Sequence, residues 1–306
     1  MNLLLLAEEA EQSIPTLTTT CMTLSAGFSF LLPVILLVYL WKFKKADLRP
    51  FFVGCIVFIL FSLCLEGIFA KFIMSTPLEK ILGNNIVLYA IYAGILAGLF
   101  EEGGRLLAFK TVLKKDYDND YDSLMYGAGH GGIEAVITLG LVMISNIAIA
   151  SMVNQGLTNE VTKDLSGDSL KQMNDLIDSL INTNPFVFLT GILERACACA
   201  MHMCFSVMVW FSVKKKDKSS LFFMAMILHA VVNAIMLIIN DLSGSVLYTE
   251  IFILIATIAI YVYTKKIWST EATTVLPSPS FVTEPVVSKA KKANEMVKKV
   301  SNKEKK

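Results

Sequence analysis

The sequence predicts an all-α membrane protein, a polytopic transmembrane bundle of about seven spans, its N-terminus outside and its C-terminus inside. Three observations predict it. Of the 306 residues, 55% are hydrophobic and only 17% charged. With a mean hydropathy of +0.60, there is too little charge to cover a water-soluble domain of this size. Apolar runs long enough to cross a bilayer recur along the chain, and the linkers between them alternate between basic and non-basic.

The runs lie near Leu17–Trp41, Pro50–Ile73, Asn85–Val112, Ser123–Val153, Pro185–Val213, Leu221–Asn240 and Val246–Thr264. Lys42, Lys44, Lys45 and Arg49 follow the first, and Lys110, Lys114 and Lys115 the third. Lys214, Lys215, Lys216 and Lys218 follow the fifth, and Lys265 and Lys266 the seventh. The intervening linkers are poor in cations, so the basic ones are expected in the cytoplasm of a multi-pass cell-membrane protein. Residues 1–16 form a short external N-terminus, 17–266 the membrane domain with core spans at 85–240, and 267–306 a basic disordered tail. The start lacks the basic region and cleavage site of a signal peptide and is expected to be retained. The longest external loop, 154–184, sets Leu170, Met173, Leu176, Ile177 and Leu180 among Asp168, Lys171, Asp175 and Asp178. That pattern predicts an amphipathic helix lying at the interface. The Lys-rich tail is suited to anionic headgroups. The six cysteines fall in apolar runs and are read as buried thiols. A net charge of +1 gives no electrostatic argument for nucleic acid, and none is expected as a partner.

Ionisable residues inside a span are costly unless paired, so each calls for a reason. The third span carries Glu101, Glu102 and Arg105, and the fourth His130 and Glu134 among Gly127, Gly129, Gly131 and Gly132. The fifth carries Glu194, Arg195 and His202, and the sixth His229 and Asn233. All three histidines of the chain are in this set. Counted along the helices, most of these residues fall roughly 10–20 Å from the basic ends, in one slab, with Glu194 nearer the opposite end. Glu101/Arg105, His130/Glu134 and His229/Asn233 are i,i+4 pairs, each expected on one helix face. Gly94-xxx-Gly98 suits close helix approach. The glycine-rich stretch around His130 is expected to line a cavity with irregular backbone. Glu194 and Arg195 read as a structural charge pair, and Glu66, alone in the second span, as a single buried hydrogen-bonded acid.

Glu101-Glu102-x-x-Arg105, a glycine-flanked His130 and a later His229-x-x-x-Asn233 resemble the CAAX-protease and bacteriocin-processing superfamily of intramembrane peptidases. Its YhfC branch resembles the chain most, through Gly-x-Gly-His-Gly-Gly-x-Glu-Ala and a later Glu-Arg…His element. The two-residue gap before Arg105 is that of the PrsW-like branch. The resemblance covers the third to sixth spans. It implies an intramembrane endopeptidase acting on a membrane-associated protein or peptide, with Glu101 and Glu102 as the acids that position and deprotonate water. His130, His229 and Asn233 match its second and third motifs. Arg105, Glu134, Glu194, Arg195 and His202 support them.

Two chemistries stay open. Peptide hydrolysis needs an activated water, a stabilised oxyanion and a proton for the leaving amine. The acid pair with His229 and Asn233 could supply these without a metal, and that reading is preferred, with no cofactor. Alternatively His130, Glu134, His202 and His229 could hold zinc and leave Glu101 or Glu102 as base; no HExxH helix is present. A non-enzymatic membrane scaffold and a proton-coupled transporter are the competing classes. The absence of an internal repeat weighs against transport.

Overall fold

Where lipid is the solvent, every backbone polar group must be satisfied within the chain, which leaves helices for a sequence without strand alternation. In a computed structural model describing residues 13–115 and 118–273, seven helices are long and apolar enough to cross a membrane. They run Thr16–Lys44, Arg49–Met74, Ile86–Lys110, Tyr121–Asn154, Val187–Lys214, Lys216–Ser243 and Val246–Glu271. Each falls where the sequence places a span, and no strand occurs among the described residues. Their outward faces show Leu31, Ile35, Phe72, Leu99 and Ile255, side chains suited to acyl chains. The N-terminal segment and the basic tail after residue 273 lie outside the described residues. The amphipathic loop helix forms at Gly167–Asn182. Its Ile177 and Leu180 are buried against Met22, Ala150 and Val153, so part of its apolar face packs on the protein.

Local signals set the ends. Asn85 Oδ1 accepts the amides of Val87 and Leu88 at 3.0 and 3.1 Å, capping the third span. Gly244 takes φ of 58° and turns the sixth span directly into the seventh. The seventh helix continues to Glu271, beyond the expected end at Thr264. Lys215 and Lys218 each hold the Glu271 carboxylate at 2.9 Å.

The fifth span sits at the centre and is the most buried. The fourth and seventh pack on it, the third packs on the sixth, and the first and second pack on the fourth. Glycines permit these crossings. A Cβ at Gly94 would stand 2.3 Å from the Ala230 carbonyl oxygen, and one at Gly98 2.6 Å from that of Met226. A Cβ at Gly127 would stand 2.5 Å from Met203 Cα, and one at Gly129 2.0 Å from the Phe51 carbonyl oxygen. The glycine-rich helix is therefore closely packed and stays α-helical over Tyr121–Ala135, not irregular as the sequence suggested, although its Glu134 does line a cavity. The irregularity lies elsewhere. Phe58–Glu66 and Val136–Leu141 are π-helical, a geometry concentrated at functional sites.

Candidate active site

The third span turns two adjacent carboxylates in different directions. Glu101 Oε2 shares a 2.8 Å hydrogen bond with His130 Nε2. The Nε2 atoms of His202 and His229 stand 3.9 and 4.0 Å from that same oxygen. Ser62, on the π-helical stretch of the second span, donates to Glu101 Oε1 at 3.2 Å. Glu102 turns the other way and is fully buried. It pairs with Arg105 one turn on and accepts from His229 Nδ1 at 2.9 Å. Although Arg105 shares a helix face with Glu101, its ion pair is with the second acid, Glu102, at i,i+3.

Arg105 also reaches the fifth span. Its Nη2 lies 3.0 Å from His202 Nδ1. A guanidinium only donates, so His202 accepts at Nδ1 and carries its hydrogen on Nε2. That Nε2 stands 2.8 Å from Glu134 Oε2. Glu134 Oε1 in turn accepts from Arg195 Nη1 at 2.6 Å, and Arg195 also pairs with Glu194. The structural charge pair read from the sequence is present, and it is tied to the histidine cluster through Glu134.

A cavity of about 70 Å³ opens onto Glu101, Glu134, His202, His229 and Asn233. It has room for water, which needs roughly 10–15 Å³ and polar partners. His130 stands behind Glu101, fully buried with its Nδ1 unpartnered. Nearly all the residues singled out from sequence thus meet in one place, and Glu194 lies at its edge. Glu66 is less buried than expected: it is half-buried, with Ser62 beside it and its Oε2 without a hydrogen-bond partner. Ser62 was missed, since a serine in an apolar span carries no periodic signal.

The donors fit a metal ion. Glu101, His130 and His202 each offer an atom within 4.8 Å of the others, and His229 Nε2 stands 4.0 Å from the Glu101 oxygen. Imidazole nitrogen and carboxylate oxygen are zinc donors, and at bonds of about 2.0–2.1 Å tetrahedral donors stand about 3.4 Å apart.

The family described as YhfC intramembrane metalloprotease matches residues 28–264. The chain belongs to that family. The YhfC match runs from the first span to the seventh and takes in every residue of the cluster. A relative described as "Uncharacterized membrane protein YhfC", from Bacillus subtilis (strain 168), is 32% identical over 213 residues. Those residues are 69% of this chain and 81% of the relative. No solved structure matches significantly. The chain is thus a multi-pass membrane protein, and its family's description supports an intramembrane peptidase.

Proposed function

We propose that this protein is an intramembrane metalloprotease that hydrolyses a membrane-associated protein or peptide in the cavity between its third, fourth, fifth and sixth spans. One observation carries the reading: three buried imidazole Nε2 atoms stand 2.8, 3.9 and 4.0 Å from a single oxygen of Glu101. The metal-free alternative preferred from sequence used Glu101 and Glu102 jointly as acids. Glu102 is taken up by Arg105 and His229, which leaves it a positioning role.

The partner behind each ring divides the histidines. Glu102 receives the Nδ1 hydrogen of His229, freeing the Nε2 electron pair, as carboxylates do behind metal-ligating histidines. His130 donates its Nε2 hydrogen to Glu101, but its Nδ1 has no partner, so the hydrogen can shift to Nδ1 and release Nε2 to a metal. Of the three imidazoles around Glu101, we therefore assign His130 and His229 as the ones that would complete, with Glu101, a His₂Glu set of the kind that holds catalytic zinc and leaves a position open. Zinc there would supply the Lewis acid that activates water and polarises the scissile carbonyl. His202 keeps its Nε2 hydrogen and serves as donor, facing Glu134. Hydrolysis adds the water oxygen to the carbonyl carbon as the carbon–nitrogen bond breaks. Glu134 takes the water proton and passes it to the leaving nitrogen, while His202 Nε2–H donates to the carbonyl oxygen.

Elemental analysis beside a peptidase assay on purified protein tests the reading. Near one zinc per chain is expected, with activity lost on chelation, restored by zinc, and absent from Glu101→Gln. Undiminished turnover in metal-free protein would return the chemistry to the glutamates alone.

A further inference from the structure

A second cavity of about 390 Å³ lies between the start of the fifth span, the end of the sixth and the start of the seventh. Met236 lines both this cavity and the reaction pocket. Its walls are largely apolar, with Leu139, Met143 and Phe188 among them, yet Glu194 and Glu250 both face it. Glu250, on the seventh span, is only 6% exposed, and its Oε2 has no hydrogen-bond partner. Thr249 Oγ1, beside it, is also buried without one. A carboxylate inside a span is costly unless something pairs with it. Arg195 is committed elsewhere: one guanidinium nitrogen holds Glu134 and the other Glu194. Glu134 and Glu194 thus take up the guanidinium, and Glu250 is a carboxylate it does not hold.

We infer that this cavity is a binding subsite for a cationic side chain, lysine or arginine, borne by an apolar segment. Its place as a substrate subsite rests on the peptidase reading; cation binding itself does not. The chemistry suits both parts of such a side chain, the alkyl stem lying along apolar walls and the charged head reaching a desolvated carboxylate. Glu250 takes the charge, Thr249 and Glu194 complete its surroundings, and the neighbouring peptide bond is brought toward the reaction pocket past Met236.

Hexylammonium, a lysine side-chain mimic, and neutral 1-hexanol serve as probes. Both are titrated into full-length protein in nanodiscs of zwitterionic lipid, with the shift in melting temperature as readout. Hexylammonium is expected to act at concentrations about tenfold lower than hexanol, the scale of one charge-assisted hydrogen bond. Glu250→Gln should abolish that preference, and so should Thr190→Phe, which fills the cavity with both carboxylates intact and serves if the first variant does not fold. Equal action of the two probes on the unaltered protein, or a preference that survives in both variants, would overturn the subsite. Cleavage of single-span peptides differing only in Lys or Leu is followed in parallel. Cation preference without any cleavage sinks the peptidase reading alone; cleavage without cation preference sinks the subsite alone.

Discussion

His202 and His229 both aim Nε2 toward the reaction pocket, but a cation stands behind one and a carboxylate behind the other. This difference makes the proposed division of labour testable. His229→Ala is expected to lose bound zinc and activity together. His202→Ala should retain zinc and lose turnover by about 10²–10⁴-fold, the range of a positioned proton donor; zinc loss in that variant would place His202 among the ligands. Arg105 carries a different expectation. It is fully buried, paired with Glu102 and stacked 5.8 Å over the Tyr126 ring. Removing one partner of a buried ion pair costs about 3–5 kcal/mol, because the other charge is stranded. Arg105→Met should therefore lower thermal stability sharply in detergent. Changing Glu102→Leu in the same chain should recover much of the loss, which would separate a stability role from a catalytic one.

Neighbouring glycines of one helix have different jobs. Gly103 and Gly104 lie side by side in the third span, yet a Cβ at Gly103 meets nothing within 4 Å. One at Gly104 would press on Phe61 Cγ at 2.7 Å and Val57 Cγ1 at 2.9 Å. Gly103→Ala should be neutral or stabilise by about 0.5–1 kcal/mol through helix propensity. Gly104→Ala should cost roughly 1–3 kcal/mol through overpacking and disturb the helix that presents Ser62 to Glu101. Gly129→Ala is expected to be worse, since the obstacle 2.0 Å away is the Phe51 backbone, which has no rotamer to change. Melting temperatures of the three variants, beside activity, order them; an equal response would mean that helix propensity, not packing, governs these spans.

Across the whole molecule, we propose from the alternation of basic linkers an external N-terminus and an internal C-terminus. That orientation puts Ser166, just before the loop helix Gly167–Asn182, outside the cell, and Ser219, between the fifth and sixth spans, inside. Ser166→Cys is expected to react with an impermeant thiol reagent in intact cells, and Ser219→Cys only after permeabilisation. The reverse pattern would invert the protein and move the cation subsite to the cytoplasmic half. The native cysteines are all free thiols, so a background without them is the proper starting point.

The sequence by itself determined the spans, the helical class and most of the cluster, because each depends on local physics. A bilayer demands about 20 apolar residues per crossing whatever the neighbours do, and a buried ion announces itself by its cost. The resemblance to the YhfC family, read from the glycine-flanked His130 with Glu134 and the later Glu194-Arg195…His202 element, held. Only the tertiary structure decided which partner each group takes. Helical spacing admitted Arg105 with Glu101 as readily as with Glu102; packing against the fifth and sixth spans gave it Glu102 and His202. It brought Ser62 from the second span to Glu101 and left Glu250 of the seventh facing a cavity without a partner. These outcomes depend on how closely helices far apart in sequence approach, set by the glycines at their crossings, and no periodicity within one helix encodes that distance.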